Sequence, residues 1–234
     1  MSKPASHAET EIGGQRFCLW ADGSCYLPED QLLVLSDLHL EKALAQSVGA
    51  PLPALDSAAS LTAMRTALQR QPVRACILLG DSFHRSELAG RMADPLQALL
   101  QECASRAELI WIEGNHDPDL PDTLPGQQAA EIAVGNLLFR HIPQAAGSWP
   151  SELVEISGHL HPKARLKLAA RNLSGRCFIA DSQRLILPAF GVWTGGLNIL
   201  DPAIASLFGR RKTVWFCHDG KIWTMPFKKS SFLP

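Results

Sequence analysis

Seven side chains able to bind a metal stand at the ends of strand-length apolar runs. LLVLS leads into Asp37-Leu38-His39, CILLG into Asp81, LIWIEG into Asn115-His116-Asp117, LLFR into His141, and LVEIS into Gly158-His159-Leu160-His161. In an open α/β sheet, ligands gather at the carboxyl ends of the strands, so residues far apart in the chain are expected to converge there. The i, i+2 spacing of Asp37 with His39, and of His159 with His161, puts each pair on one face of an extended segment. Glycines 80, 114 and 158 precede polar residues, as expected where the backbone turns sharply or comes close to another group. Two carboxylates, one amide oxygen and four imidazoles, with no thiolate, suit two divalent ions such as manganese, iron, zinc or magnesium. Two such ions about 3.5–4 Å apart form a clamp for hydrolysing phosphate esters. Each motif alone also fits an ordinary capping pair or turn. Their succession at five strand ends is what points to a metal centre.

Such convergence needs a scaffold, and the chain has one. Apolar runs at Leu32 to Leu35, Ala75 to Leu79 and Leu109 to Ile112 are separated by segments of helical spacing. In the first separator Leu61, Met64 and Leu68 share a stripe, with Asp56 or Ser57 as the expected cap. In the second, Leu88 and Met92 share a stripe, and Asp94-Pro95 is expected to cap a helix running through Leu99 and Cys103. Strand and helix in alternation imply a parallel α/β core. Upstream, a polar arm to Gln15 precedes a strand at Arg16 to Trp20 and a turn at Asp22-Gly23. Beyond Gln128 only strands are expected: Glu131 to Val134, Leu137 to Arg140, Leu153 to Ile156, Cys177 to Ala180, Arg184 to Leu187, Ala203 to Phe208 and Thr213 to Cys217. The expectation is a single sandwich over 16–234 behind an arm at 1–15.

The chain of 234 residues is 46% hydrophobic and 19% charged, which excludes disorder over most of its length. No apolar run approaches the ~18 residues of a membrane span, and the opening MSKPASHAETEIGGQ has no apolar signal core, so the expected compartment is cytoplasmic. Six cysteines occur with no CxxC pair and read as reduced core thiols. The net charge of -1 conceals an asymmetry: residues 162–234 hold 12 Lys+Arg against 3 Asp+Glu. A basic segment of this density suits a polyanion such as nucleic acid, and equally suits lysine- and arginine-guarded sheet edges.

The ordered set DLH, GD, GNHD, H, GHLH, spanning Asp37 to His161, resembles the signature of the calcineurin-like metallophosphoesterase superfamily. That resemblance implies a four-layer α/β-β-α sandwich, two divalent metal ions and in-line attack on phosphorus by a metal-bound hydroxide. By matching position it implies Asp37, His39 and His161 on one metal, Asn115, His141 and His159 on the other, and Asp81 bridging. It also implies that His116 faces the substrate while Asp117 orients its ring. The stretches LSDLHLEK, LGDSFH, EGNHDP, SGHLHPK and LPAFGVWTGGLN resemble more narrowly a bacterial branch of ligase-associated DNA-damage-response phosphoesterases or endonucleases. The narrower resemblance implies a DNA-repair context with DNA as the substrate. Of the metals the donor set suits, manganese is the first expectation, with iron, zinc or magnesium as alternatives. The implied partners are an ATP-dependent DNA ligase, a helicase and a metallo-β-lactamase-fold exonuclease.

Further residues stand near these motifs. His84, three positions after Asp81, and Arg165 with Lys167, alternating along a strand after GHLHP, are expected substrate contacts. Glu41 and Lys42 fit a helix's first turn or a phosphate-steering role. Arg210, Arg211 and Lys212 fit a hairpin tip or a backbone contact, and Gly195-Gly196 fits a tight turn near the site mouth. Two other functions stay open at this level: a phosphoesterase for a small phosphodiester, nucleotide or monoester, and a non-catalytic scaffold. Scaffolds in this superfamily tend to lose the histidine of GNHD, which is present here as His116.

Overall fold

The computed structural model describes residues 3, 5–41, 55–145, 147–167, 172–192 and 194–234. Seven strands form the first sheet in chain order: β1 (His7–Ile12), β2 (Gln15–Trp20), β3 (Cys25–Leu27), β4 (Leu32–Leu35), β5 (Ala75–Leu79), β6 (Glu108–Ile112) and β7 (Gln127–Ala129). β1 to β4 are antiparallel, and β4 to β7 are parallel. Helix α1 (Leu55–Leu68) separates β4 from β5, and α2 (Ser86–Ala89) and α3 (Asp94–Ala104) separate β5 from β6. The second sheet contains β8 (Glu131–Val134), β9 (Leu137–Arg140), β10 (Val154–Ser157), β12 (Asn172–Ala180), β13 (Arg184–Ile186), β14 (Thr213–His218) and β15 (Lys221–Pro226). Its order is β15-β14-β12-β13-β10-β9-β8, and β11 (Lys163–Lys167) pairs antiparallel with β12 off this path. Within it, β9, β10 and β13 run parallel.

Side-chain alternation explains why the strand runs of the first sheet are apolar throughout. Leu32, Val34, Ala75, Ile77 and Leu79 face the second sheet and meet Phe139, Ile156, Phe178 and Leu185. Their neighbours Leu33, Leu35, Cys76 and Leu78 face outward onto Leu61, Met64, Leu96 and Leu100 of α1 and α3. On the outer face of the second sheet, Ala164 and Leu166 of β11 join Ile204 of the short helix α4 (Pro202–Ala205) over Ile179, Val214 and Phe216. Two sheets are thus stacked face to face with helical elements outside, as expected of the layered sandwich. All six cysteines are free and buried. Among the described residues no helix is long and apolar enough to cross a membrane.

Several local expectations change. Residues 203–208, read as a strand, begin instead as α4: Asp201 Oδ1 accepts Ala203 N at 2.9 Å and Pro202 opens the helix. The apolar run hid an Asp-Pro start signal. At α3 the cap is Ala93, without a side-chain bond, and Asp94 lies in the first turn where its charge meets the helix dipole. Asp56 and Ser57 lie inside α1, and the Ser57 hydroxyl accepts Glu41 N at 2.7 Å. The Leu88–Met92 stripe spans more than the four residues of α2. Residues His7–Ile12, read as part of an arm, pair with β2 over six positions.

One buried ion pair ties the second sheet to the loop after β9. Arg184 Nε donates to Glu155 Oε2 at 2.6 Å, and both side chains are fully buried. Glu155 Oε1 accepts Gln144 N at 2.9 Å, and the Arg184 guanidinium also donates to the Leu207 and Gln144 carbonyls. Arg184→Met leaves the buried Glu155 carboxylate with only the more distant Arg140 guanidinium, 3.7 Å from Oε1, as its cation. It is expected to lower unfolding free energy by about 3 kcal/mol in urea titration, the low end for breaking a buried pair. Adding Glu155→Gln to that variant is expected to restore part of the loss, which a purely volumetric defect would not show.

Candidate metal centre

β4, β5 and β6 run parallel, so Asp37, Asp81 and Asn115 emerge at one edge of the first sheet. β9 and β10 run parallel in the second sheet and deliver His141, His159 and His161. The result is two groups, Asp37 with His39 and His161, and Asp81 with His141 and His159, each with its ligand atoms within 4.8 Å of one another. His161 Nε2 lies 2.9 Å from Asp37 Oδ1, and His39 Nε2 lies 3.3 Å from His161 Nε2. In the other group His141 Nε2 lies 3.3 Å from Asp81 Oδ2, 3.2 Å from His159 Nδ1 and 3.1 Å from Asn115 Oδ1. Asp81 Oδ2 is also 4.0 Å from His39 Nε2, so its carboxylate stands between the groups.

Hydrogen bonding around the groups shows that a cation fits. His141 Nδ1 donates to the Leu79 carbonyl oxygen at 2.8 Å, so Nε2 is the nitrogen turned to the centre. That nitrogen is confronted by the Asn115 amide oxygen and an Asp81 carboxylate oxygen, both acceptors. Burial opposes a charge on the ring, but Asp81 and Asp37 outweigh burial and raise the imidazole. Acceptors converging at such range need either a proton on Nε2 or a cation among them. Without a metal the proton meets them, and a bound cation would take that proton's place. Burial pushes the His39 imidazole down to about 4, favouring the neutral form a metal requires. Burial would push Asp81 up, yet the hydrogen bond and charge of His141 and the His116 amide hold it at about 2. Burial likewise opposes the Asp37 anion, and His161, His141 and Ser36 outweigh it.

Local backbone geometry differs from the extended segment expected of Asp-x-His and His-x-His. Asp37, His39, Asp81, His159 and His161 all have φ between 44° and 66°, in the left-handed region. Each such residue costs roughly 1–2 kcal/mol, and the surrounding structure must impose it. It is imposed by main-chain bonds between loops: Asp37 N to Gly80 O at 3.3 Å, His39 N to Asp81 O at 2.9 Å, and Gly191 N to Asp37 O at 3.2 Å. The last of these gives the LPAFG stretch its place, as a brace behind the first ligand.

The three glycines are explained by close approach to ligand side chains. A Cβ on Gly80 would lie 2.5 Å from His141 Cγ, on Gly114 2.4 Å from Asp81 Oδ1, and on Gly158 1.8 Å from Ser36 Oγ and 2.7 Å from Asp37 Oδ2. Ser36, which sequence reading passed over, donates its hydroxyl to Asp37 Oδ2, and His159 N donates to the same oxygen at 3.1 Å. Gly158→Ala displaces this pair. Metal affinity is expected to fall about 10- to 100-fold, the usual effect of disturbing a ligand's partners, as read by metal titration of the folded variant.

His116 lies beside the first group, its ring centroid 5.4 Å from that of His39. Its amide donates to Asp81 Oδ1 at 2.9 Å, and its Nδ1 faces the His84 carbonyl oxygen at 3.2 Å. The orienting partner of the ring is therefore His84 O, where Asp117 was expected. Asp117 is wholly buried, accepts Phe83 N at 2.9 Å through Oδ2, and clasps the GNHD loop to the GDSFH loop. Burial, with Asp81 nearby, raises its carboxyl to about 7. The His84 ring stacks on His116 with centroids 5.2 Å apart. A cleft of about 670 Å³ opens beside His116, lined by Arg85, Glu87, Pro118 and Leu120 among others.

The remaining candidates are spread more widely. Arg165 and Lys167 are exposed on β11 and belong to neither ligand group. Glu41 is buried rather than displayed on an outer turn, and Lys42 lies outside the described residues. Arg210 and Arg211 are exposed in the loop before β14, while Lys212 sits over the Phe227 ring at 4.6 Å. Gly196 backs onto the His161 carbonyl, where a Cβ would come within 2.2 Å of the oxygen.

A two-sheet sandwich presenting two adjoining histidine and carboxylate groups defines a metallophosphoesterase-type centre. The calcineurin-like phosphoesterase family model matches residues 31–185, and the chain belongs to that family. Its structure is similar to the crystal structure of Pseudomonas putida nuclease MPE, with 28% identity and a TM-score of 0.70, covering 94% of this chain and 100% of that one. A Vps29 single mutant from Entamoeba histolytica matches at 14% identity and a TM-score of 0.33, covering 86% of this chain and 95% of that one. No curated protein matches the chain.

Proposed function

We propose that this protein is a metal-dependent phosphodiesterase that cleaves DNA, acting in repair in the cytoplasm with two manganese ions as cofactor. The observation that carries the reading is the position of the Asp81 carboxylate between the two ligand groups, with His116 beside them. In this reading Asp37, His39 and His161 would hold one ion, Asn115, His141 and His159 the other, and Asp81, standing between the groups, would serve both. When bound, the ions would supply charge neutralisation for a phosphoryl group and a nucleophile drawn from water at neutral pH.

The chain's own groups do the rest. With the His116 Nδ1–H held by the His84 carbonyl, the imidazolium carries its second proton on Nε2, passes it to the departing oxygen and is left as the neutral Nδ1–H ring. Asp117 keeps the His116 and Phe83 loops in register. Similarity to the Pseudomonas putida nuclease structure supports a polynucleotide substrate, as does the basic C-terminal third. A DNA ligase, helicase and exonuclease are the proposed partners of such an activity.

The test compares hydrolysis of bis(p-nitrophenyl) phosphate, p-nitrophenyl phosphate and plasmid DNA with added manganese. Diester hydrolysis and plasmid nicking are expected. Monoester turnover without nicking would overturn the DNA assignment, and no hydrolysis of any substrate by metal-loaded protein would favour a scaffold.

A further inference from the structure

Resting on the phosphodiesterase reading, we infer that the β11–β12 ribbon is a track for the phosphate backbone of a polynucleotide leaving the metal centre past His161. β11 begins two residues after His161, and its burial alternates: Ala164 and Leu166 pack into the core, while Lys163, Arg165 and Lys167 face the other way. Register places Lys163 opposite Arg176, Arg165 opposite Ser174, and Lys167 opposite Asn172. Directly paired residues share a face, so four cations, a hydroxyl and an amide lie together on one side of the ribbon. Neither strand contains an aspartate or glutamate.

The ribbon is joined physically to the centre. A cleft of about 200 Å³ is lined by His161, Lys163, Ser174, Arg176 and Thr194 among others. Arg176 is fixed at its inner end, with Nη1 donating to the carbonyls of Asp22, Ala189 and Phe190 at 3.0, 3.0 and 3.3 Å. Among the described residues it makes no ion pair with a carboxylate. Lys163 Nζ donates to Thr194 O at 3.1 Å, and the Arg165 guanidinium donates to the Pro234 carbonyl. Along β11, alternate residues repeat every ~6.7 Å, a scale on which successive phosphates of an extended strand can be met one cation at a time. Such contacts position a chain without reading its bases. They act on phosphates next to the scissile one, so a substrate with a single phosphate gains nothing from them.

The experiment neutralises the exposed row in a Lys163→Gln/Arg165→Gln/Lys167→Gln variant and leaves Arg176 in place, since it buttresses three carbonyls. Binding of a labelled oligodeoxynucleotide is followed by anisotropy over a series of KCl concentrations. The slope of log affinity against log salt is expected to shrink by roughly 2, at about 0.7 per lost single-strand contact. The ratio of kcat/KM for the oligonucleotide to that for bis(p-nitrophenyl) phosphate is expected to fall about tenfold, as lost backbone contacts weaken binding of the longer substrate alone. An Arg210→Gln/Arg211→Gln variant is expected to change neither quantity. An unchanged slope and ratio in the triple variant, or equal shifts in the Arg210/Arg211 control, overturns the track. If wild-type protein hydrolyses neither substrate while the triple variant still loses slope, the phosphodiesterase reading fails and the track stands.

Discussion

Asp81→Asn is expected to lower diester turnover by more than about a hundredfold and to reduce bound metal from two ions to at most one. The lower bound is the largest usual loss from disturbing a mere supporting partner, and Asp81 is placed to do more. Its Oδ2 lies 3.3 Å from His141 Nε2 and 4.0 Å from His39 Nε2, one nitrogen from each group, so its negative charge serves both. Asparagine keeps the shape of the side chain, and its amide oxygen can still accept His116 N, the bond that Oδ1 accepts at 2.9 Å. The fold should survive, as circular dichroism would verify. Elemental analysis then separates loss of metal from loss of chemistry. Two ions retained with unaltered turnover would remove Asp81 from the centre.

For His116→Ala the expected result is the converse: turnover falls by about 10²- to 10⁴-fold while metal content is unchanged. The ring adjoins His39 but belongs to neither ligand group, and its Nδ1 is occupied by His84 O. A group that protonates the leaving oxygen matters most when that oxygen is basic. The loss should therefore be larger for an oligonucleotide, which departs as an alkoxide, than for a p-nitrophenyl ester. Equal losses on the two substrates would assign the ring to charge stabilisation alone, and no loss would exclude it from the reaction. Asp117→Asn should behave differently, since Oδ2 accepts a main-chain amide from Phe83 and the defect would appear first in thermal stability.

Much of this was legible in the chain itself. The apolar runs of β4, β5 and β6, buried on both faces, announced a covered parallel sheet, and the stripe of Leu61, Met64 and Leu68 announced the helix over it. The polar residues that follow those runs are the ones that meet. Less was visible where apolar composition outweighed a short signal, as at Asp201-Pro202, where a helix start was read as a strand. The polar strand β1 and the three-residue strands β3 and β7 depend on pairing with neighbours more than on their own composition.

The sequence by itself determined the donor set and its order: which atoms could bind a metal, on which strand ends, with glycines where nothing larger fits. Only the tertiary structure decided how those donors group, that His84 O and not Asp117 faces His116 Nδ1, and that Lys163 and Arg176 stand opposite one another beside His161. The physical reason is range. His39 meets His161 across 122 positions, and its left-handed backbone is held by a bond to Asp81 O. No local preference favours that conformation. It exists because two sheets, packed through their shared core, bring their strand ends to one place.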